Sequence, residues 1–178
     1  MKKKLFTFIL VQLLAFSIFA EVRGRYIRIF NPGRKILSIA EVQVLALGKN
    51  IAFHKKAVQS SIEFDGVASR AVDGHTNGDF FKKSVTHTAI GDSNPTWEVD
   101  LQAPVAIKKI VVWNRLDTAS ERMIGAIVMI LDENRKVVWA RRISKNEPKS
   151  VFNLIAPPLQ GYLGKIMPKV HLKEVAKK

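Results

Sequence analysis

The sequence predicts an all-β domain of the jelly-roll sandwich type. Short runs rich in β-branched and aromatic residues recur along the chain, and each is bounded by Gly, Pro, Asn or Asp. No amphipathic helical pattern persists for three turns. Evenly spaced short strands with turn signals between them are typical of a β-sandwich or jelly roll.

The predicted strands follow one another from near the start of the chain. The first, Tyr26–Phe30, ends in the turn Asn31-Pro32-Gly33. Residues 41–45 alternate apolar and polar side chains, and so do residues 97–101, which places two acids opposite an apolar face. Such alternation predicts half-buried strands. The remaining predicted strands are Ile107–Trp113, Ile124–Leu131 and Val137–Ala140.

The first twenty residues predict export. Three lysines at positions 2–4 precede an apolar run of sixteen residues, Leu5–Ala20, that ends in a small residue. A membrane-spanning helix needs about 20 apolar residues, and this run also contains a Gln and a Ser. We therefore expect a signal peptide over residues 1–20 and a mature chain that begins near Glu21. That chain would have no transmembrane segment and would be secreted, periplasmic or held at the cell surface.

The length after this segment favours a single domain. We expect a β-sandwich over residues 21–155, followed by a basic C-terminal tail over residues 156–178 that Pro and Gly interrupt. The whole chain carries a formal charge of +14, which favours acidic partners such as anionic polysaccharide. There is no helix-turn-helix pattern, zinc spacing or basic stretch interleaved with aromatic residues, so we expect no nucleic-acid partner.

The chain has no cysteine, which excludes disulfides, thiolate metal sites and a cysteine nucleophile. An exported chain of this kind relies on packing or on a bound ion, so a site for a hard cation makes physical sense. The sequence contains no glycine-rich phosphate loop, no His-Glu-x-x-His and no Gly-x-Ser-x-Gly. Paired carboxylates such as Asp65 and Asp73 can in principle hydrolyse a glycosidic bond, but nothing in the sequence indicates that two of them converge. We expect a binding domain and not an enzyme.

Four motifs occur in order between Asn50 and Gly125. They are Ala71–Gly74, Ser84–Thr88, Asn94–Leu101 and Asn114–Asp117, the last followed by Glu121-Arg122. In this order they resemble an F-type lectin (fucolectin) domain, a relative of the discoidin and coagulation factor 5/8 type C domains. The resemblance implies a jelly roll of the galactose-binding-domain-like class, a fucosylated or other glycan as partner and a structural calcium ion.

The resemblance also implies which residues bind the sugar. The family motif has a histidine, a gap, Arg-x-Asp and then a further Arg or Lys, and His87, Arg115, Asp117 and Arg122 fit it. The gap is one residue longer here, in a loop, and loops tolerate insertions. The imidazole and the guanidiniums would present fixed donors to the sugar, while Asp117 would hold an arginine in place. Phe81 would match the family's aromatic residue that packs on the fucose methyl group.

The residues alone leave other interpretations open. Arg115–Arg122 can be a polar loop in which acidic residues neutralise two arginines, and Phe81 can be a core aromatic. The sequence also departs from the family, because Thr118 and Ala119 replace the usual adjacent cysteines. This departure implies that an apolar platform against the sugar ring is missing. The alternative function is an adhesion or interaction module on the same fold, which uses its basic surface to bind anionic polymer or envelope.

The calcium site is carried over in the same way. Asp73 and Glu41 would supply carboxylates. The other oxygen ligands would be the carbonyls of Ala40, Arg70 and His75 and the hydroxyl or carbonyl of Ser84. The alternative is that Asp73-Gly74 is only a turn.

The order of the segments differs from the usual F-type domain. Residues 24–44 resemble the segment that normally ends such a domain, yet here they come first. We therefore hypothesise a circular permutation in which the chain leaves the sandwich after Val151–Leu154. The termini of a sandwich often lie close together, which makes such a rearrangement feasible. Both the permutation and the calcium assignment require Glu41 to lie close to Asp73.

Overall fold

The computed structural model describes residues 21–33 and 35–154 and confirms the all-β prediction. Antiparallel strands form two sheets, one with the order β4-β5-β1-β7-β8 and one with the order β3-β2-β6-β9. The strands are β1 (Arg23–Phe30), β2 (Ile39–Ala46), β3 (Lys49–Asn50), β4 (Ala57–Gln59), β5 (Thr96–Ala106), β6 (Lys109–Asn114), β7 (Ile127–Leu131), β8 (Val137–Arg142) and β9 (Lys149–Asn153). In this described part of the chain, three 3-10 helices lie in the connections: Ala68–Val72, Phe80–Lys82 and Ser120–Met123.

The core lies between the two sheets. Strand β1 occupies the centre of the five-stranded sheet, and its Ile27 and Ile29 are fully buried against residues of the other sheet such as Val42 and Ile110. Alternate residues of a strand point to opposite faces, so these positions define the inner face. Trp97 also packs here, and its indole N–H donates to the Ala68 carbonyl oxygen at 2.9 Å. That hydrogen bond satisfies the ring's one polar atom.

The five-stranded sheet is buried on its other face as well, which we call the outer face. The apolar residues of this face form a cluster separate from the core: Tyr26, Phe30, Ile127, Met129, Leu131, Val137 and Ala140. Glu98 lies beside them and forms ion pairs with Arg28 at 2.6 Å and with Arg135 at 2.8 Å. The alternation in β5 predicted a half-buried strand with its acids in solvent. That prediction is wrong for Glu98, which is buried in an ion-pair network.

The predicted strands are present with shifted ends. Strand β7 begins at Ile127 and not at Ile124, because the helix Ser120–Met123 and Gly125, at a φ of +96°, turn the chain just before it. The turn after β1 also forms as predicted, and the Asn31 Oδ1 accepts a hydrogen bond from the Gly33 N–H at 3.3 Å.

Two parts of the predicted domain organisation lie outside the described residues. These are the signal peptide over residues 1–20 and the basic tail over residues 156–178. Within the described ranges, no helix is both long enough and apolar enough to cross a membrane.

Candidate functional site

A cavity of about 370 Å³ opens among the loops of the sandwich. Loops and 3-10 turns supply every residue of its lining, and the strands hold these segments in place. The lining residues are Ile36, Phe64, Phe80, Phe81, His87, Ile90, Arg115, Thr118 and Arg122. The structure thus brings together four of the five residues predicted to bind a sugar. The fifth, Asp117, lies directly beside Arg115.

Arg115 is a buried cation with a fixed orientation. It follows β6, and its Nε and Nη2 each donate to one carboxylate oxygen of Asp117 at 2.8 Å. The same Nη2 donates to the Thr118 hydroxyl at 3.0 Å, and the guanidinium lies over the Phe80 ring, 4.6 Å from its centroid. These hydrogen bonds hold the pKa of Asp117 below its usual value. A planar guanidinium that is held along one edge presents its remaining N–H groups in a defined direction.

His87 forms a second buried polar group of the cavity. Its side chain is 3% exposed, and among the described residues its Nδ1 has no hydrogen-bond partner. The imidazole contacts the rings of Phe64 and Phe80 edge to face, at centroid distances of 5.3 and 5.5 Å. Burial lowers the pKa of His87, and the charges of Arg115 and Arg122 add to this effect. The ring is therefore neutral at neutral pH and offers one donor and one acceptor nitrogen.

Arg122 supplies a half-buried cation whose backbone is anchored. Its carbonyl oxygen accepts a hydrogen bond from the Asn31 side chain at 2.9 Å, and its N–H donates to the Ala119 carbonyl oxygen at 3.1 Å. In residues 21–33 and 35–154 the Arg122 guanidinium has neither an ion pair nor a hydrogen bond. This cation remains available to a ligand.

Much of the apolar surface of the cavity comes from residues other than the predicted Phe81. Phe64 and Phe80 flank His87, and Ile36 and Ile90 complete the lining. The platform that adjacent cysteines would supply is missing, as Thr118 and Ala119 stand at those positions, and aromatic and aliphatic residues elsewhere give the cavity its apolar surface. Phe80 is adjacent to the predicted Phe81, so the pair was visible in the sequence. Phe64 gave no signal, because it sits alone in a turn at a φ of +51°.

Glu41 and the Asp73-Gly74 turn are brought together at a second site. The register between β2 and β6 shifts between Ile39 and Glu41, so a bulge forms at Ala40. Glu41 is fully buried, and its Oε2 accepts a hydrogen bond from the Gly74 N–H at 3.3 Å. Glu41 therefore lies close to the Asp73-Gly74 turn, as the permutation hypothesis and the calcium assignment both require.

The chemistry of the Glu41 carboxyl suits a cation. Burial raises its pKa to about 8, and its Oε1 is buried without a hydrogen-bond partner in the described part of the chain. An unpartnered buried carboxylate oxygen is costly unless a positive charge or a donor meets it. Asp73 is the only other carboxylate of the predicted set, and its Oδ1 accepts from the His75 N–H at 2.8 Å.

The remaining predicted ligands have other hydrogen bonds. The Ser84 hydroxyl proton is shared between the backbone carbonyls of Asn77 and Asp79, and the lone pairs of its oxygen stay available as a ligand beside the Ser84 carbonyl. The Arg70 guanidinium points away, to the Val85 carbonyl and the Asp65 carboxylate, both at 3.2 Å. Over the described ranges, no three side chains of His, Asp, Glu or Cys gather as a metal site. A cation here would therefore have only two carboxylates from the predicted set, and its other ligands would be backbone carbonyls or the Ser84 hydroxyl.

These features define a β-sandwich binding domain whose loops carry a cavity with two arginines, a histidine and aromatic rings. Residues 70–159 match the family model described as NedA-like, galactose-binding domain, of the coagulation factor 5/8 type C group. The chain belongs to this family. The fold and the family predicted from the sequence are confirmed.

Relatives with known names are lectins. The chain is 34% identical over 112 residues to Fucolectin-6 of Anguilla japonica, covering 56% of this chain and 60% of that protein. It is 36% identical over 87 residues to the fucolectin of Anguilla anguilla, covering 46% of this chain and 54% of that protein. The chain thus spans a little more than half the length of these two relatives.

The similar solved structures are likewise a fucose-binding module and a lectin domain. A fucose-binding module of Streptococcus pneumoniae, SpX-3, superposes with a TM-score of 0.57 at 33% identity over 60% of this chain and 78% of that chain. The lectin domain of lectinolysin, solved with Lewis B antigen, superposes with a TM-score of 0.58 at 35% identity over 61% of this chain and 79% of that chain. Because these relatives are lectins and binding modules, they confirm the prediction of a binding domain and not an enzyme.

Proposed function

We propose that this domain is a lectin that binds fucose-containing glycans in the cavity lined by His87, Arg115 and Arg122. The observation that carries the proposal is the buried Arg115 guanidinium, fixed by Asp117 next to an imidazole whose Nδ1 is unpartnered. The names of the relatives support the choice of sugar, since they are fucolectins, a fucose-binding module and a lectin domain in complex with Lewis B antigen.

The cavity supplies two kinds of contact that a deoxy sugar needs. Arg115, Arg122 and the neutral His87 donate or accept hydrogen bonds with hydroxyl groups and the ring oxygen. Phe64, Phe80 and Phe81 offer apolar surface to the methyl group and to the apolar face of the ring. The cavity volume of about 370 Å³ lies in the range usual for small-ligand sites.

The test is binding to immobilised glycans with and without a terminal fucose. Retention on the fucosylated glycan, and its elution by free fucose, is the expected result. A protein that is folded by circular dichroism and retained by none of the fucosylated glycans would rule the proposal out.

The site at Glu41 is proposed to hold a structural calcium ion. Glu41 and Asp73 would bind it through carboxylates. Ala40, Arg70 and His75 would bind it through carbonyl oxygens, and Ser84 through its hydroxyl or carbonyl oxygen. Calcium would neutralise the buried carboxylate and hold β2, the 73–75 turn and Ser84 together. His87 follows Ser84 by three residues, so the ion would also steady the segment that carries the imidazole.

Export is part of the proposal. Lectins that act on cell-surface or matrix glycans lie outside the cytoplasm, and the predicted signal peptide over residues 1–20 fits that place. Sequencing the N-terminus of protein released by the native host tests it. Cleavage near Glu21 is expected, and a mature protein that retains Met1 would contradict it.

Gly66 lies directly against the backbone of His87. A Cβ added to Gly66 would come within 2.5 Å of the His87 N and Cβ atoms. We therefore expect Gly66→Ala to lower the free energy of unfolding by about 1–3 kcal/mol and to weaken glycan binding by displacing the imidazole. Chemical denaturation and glycan titration measure the two effects.

Gly33→Ala is the matched control for this substitution. A Cβ at Gly33 meets its nearest neighbours at 3.5 Å or more, an ordinary contact distance. The free energy of unfolding and the glycan affinity of Gly33→Ala should therefore stay close to those of the parent protein. If Gly66→Ala also left them unchanged, the packing of Gly66 on His87 would not position the imidazole.

The titration of His87 makes stability depend on pH. Its pKa lies below its ordinary value of 6.5 in the folded protein, with burial as the main cause. As the pH falls through 6.5, the unfolded chain takes up a proton at His87 while the folded chain resists it, so the free energy of unfolding falls. This contribution is fully present above pH 6.5.

NMR titration of the histidine side chains measures the effect directly, and denaturation of His87→Gln at several pH values isolates it. In that variant the free energy of unfolding should change less between pH 7 and pH 5 than in the parent. In the parent, the His87 contribution is lost as the pH falls below about 6.5. A His87 pKa at or above 6.5 would contradict the role of burial.

A further inference from the structure

The four-stranded sheet has a second face, opposite the core. Ile110 and Val112 of β6 belong to the core, and alternate residues of a strand point to opposite faces. The residues next to them on β6 therefore point away from the core, and so do their partners on β2 and β9. We call this surface the lysine face, and it includes Gln43, Lys109, Trp113, Lys149, Val151 and Asn153.

The strand register arranges the lysine face in rows across the sheet. Trp113 lies beside Lys149 in one row, and Lys109 lies beside Asn153 in another. These two rows are four residues apart along β6, which is a distance of about 13 Å. Val151 lies in the row between them and is 48% exposed. Lys149 and Asn153 are exposed as well, so a large ligand can reach this face along β9.

The lysines of this face are not neutralised by neighbouring carboxylates. Within the described part of the chain, neither Lys109 nor Lys149 forms an ion pair. The one carboxylate that the described strands place on this face is Glu41, which is buried and accepts a hydrogen bond from the Gly74 N–H. The five-stranded sheet differs, because its Glu98 pairs with two arginines. The lysine face is therefore a positive surface that complements an anion.

Trp113 adds a flat aromatic surface to this positive charge. Its side chain is partly exposed, and the Lys149 ammonium lies 4.7 Å from the centroid of its ring. The C–H groups of a sugar ring pack on an indole, while a nearby ammonium pairs with a carboxylate or sulfate on the same sugar. An ammonium binds an exposed ring only weakly, so the Lys149 side chain can shift to meet a ligand. The side-chain amides of Gln43 and Asn153 supply donors and acceptors for hydroxyl groups.

We propose that the lysine face is a second binding site, for an anionic polysaccharide whose sugars carry carboxylate or sulfate groups. A single sugar unit is shorter than the distance between the rows of Lys109 and Lys149, so the ligand that meets both lysines is a chain of several units. The formal charge of +14 on the whole chain favours the approach of such a polymer. This site is independent of the fucose-binding proposal, because none of the six residues that define the lysine face lines the cavity.

The first test adds a negative charge to the face. Val151→Glu places a carboxylate at its exposed centre, and Val58→Glu is the matched control, since Val58 is 52% exposed on an edge strand of the other sheet. The probes are immobilised heparin, which carries sulfates, and polygalacturonate, which carries only carboxylates. We expect the parent to bind at least one of them. Val151→Glu should weaken that binding by roughly fivefold or more, and Val58→Glu by less than about twofold.

The second test removes the two lysines together. The double variant Lys109→Gln and Lys149→Gln should weaken polysaccharide binding by roughly tenfold. Lys56→Gln combined with Lys136→Gln removes the same charge from exposed positions outside the lysine face, and this pair should weaken the binding much less. Dissociation constants measured at one low salt concentration give the comparison, and circular dichroism shows that each variant is folded.

The third test asks whether the sugar ring itself is recognised. Polyphosphate is the probe, because it is an anionic polymer without sugar rings. Trp113→Leu should weaken binding to the polysaccharide and leave binding to polyphosphate unchanged, and Trp113→Phe should restore most of the polysaccharide affinity, since it keeps an aromatic ring. An equal loss for both polymers in Trp113→Leu would overturn the proposal of a polysaccharide site.

Other results would overturn the proposal as well. Equal losses in the two valine variants, or in the two lysine pairs, would show that binding follows the total charge and not this face. Retention of the parent on neither polysaccharide would also exclude the site. Arg115→Ala should leave polysaccharide binding unchanged, so a loss in that variant would place the polymer in the cavity. A protein that binds the polysaccharide but no fucosylated glycan would contradict the proposed lectin function alone.

Discussion

Arg115→Ala is expected to weaken binding to fucosylated glycan by roughly tenfold to one-hundredfold, the range for losing hydrogen bonds from a charged group. The Arg115 guanidinium is buried, held at two points by Asp117 and placed over Phe80, so its removal takes donors of fixed orientation out of the cavity. Arg115→Lys keeps the charge but lacks the planar fork, and binding should fall nearly as far. Glycan titration by calorimetry measures both affinities.

Arg23→Ala is the matched control, because it removes the same charge from an exposed position. The Arg23 side chain donates a hydrogen bond to the Pro104 carbonyl oxygen at 3.2 Å and does not line the cavity. Equal losses in both variants, together with binding that high salt abolishes, would instead favour attraction between the basic surface and a polyanion. Arg122→Ala provides a second test, since the Arg122 guanidinium has no ion pair within the described residues and its loss should leave folding intact.

Calcium is expected to raise the thermal midpoint of the protein by about 5 to 10 °C when it is present at roughly one hundred times its dissociation constant. The reason is that only the folded chain brings Glu41 and the Asp73-Gly74 turn together. Glu41→Gln removes a carboxylate that calcium would neutralise, so the midpoint of this variant should no longer respond to calcium or to a chelator. Differential scanning calorimetry with and without chelator makes the measurement.

Glu133→Gln is the control for the loss of one negative charge, because Glu133 is exposed in the turn between β7 and β8. Its midpoint should rise with calcium as the parent's does. A calcium response that survives in Glu41→Gln, or that is lacking in the parent, would remove Glu41 from the proposed site. The thermal midpoint of Asp73→Asn should also fail to respond to calcium, because both carboxylates would bind the ion.

Local patterning was enough to predict most of the sandwich. Alternation and turn residues located β1, β2 and β5 to β8, because a strand next to a core repeats its side chains with a period of two. Strands β3 and β4 have only two and three residues, too few to show a period. Strand β9, Lys149–Asn153, alternates between exposed and partly buried positions and carries polar residues, so it resembles a loop in the sequence.

The candidate binding residues could be located in the sequence to the extent that a motif places them in order. His87, Arg115 and Arg122 were located in this way, and the structure places all three around one cavity. Phe64 was not, because it belongs to none of the motifs and its contact with His87 depends on how the turn that carries it folds back. The burial of Glu98 was missed for a similar reason, since the strand pattern shows which face it occupies but not what covers that face.

The central place of β1 has a consequence for how the chain reaches its fold during synthesis. Tyr26 pairs with Asp100 on one side and with Leu131 on the other, so the first strand to emerge finds its second neighbour only after about one hundred further residues. Until then its backbone groups stay open on that side. A chain that cannot complete its main sheet early stays unfolded for longer during synthesis, and an unfolded chain is the form that the proposed export would require.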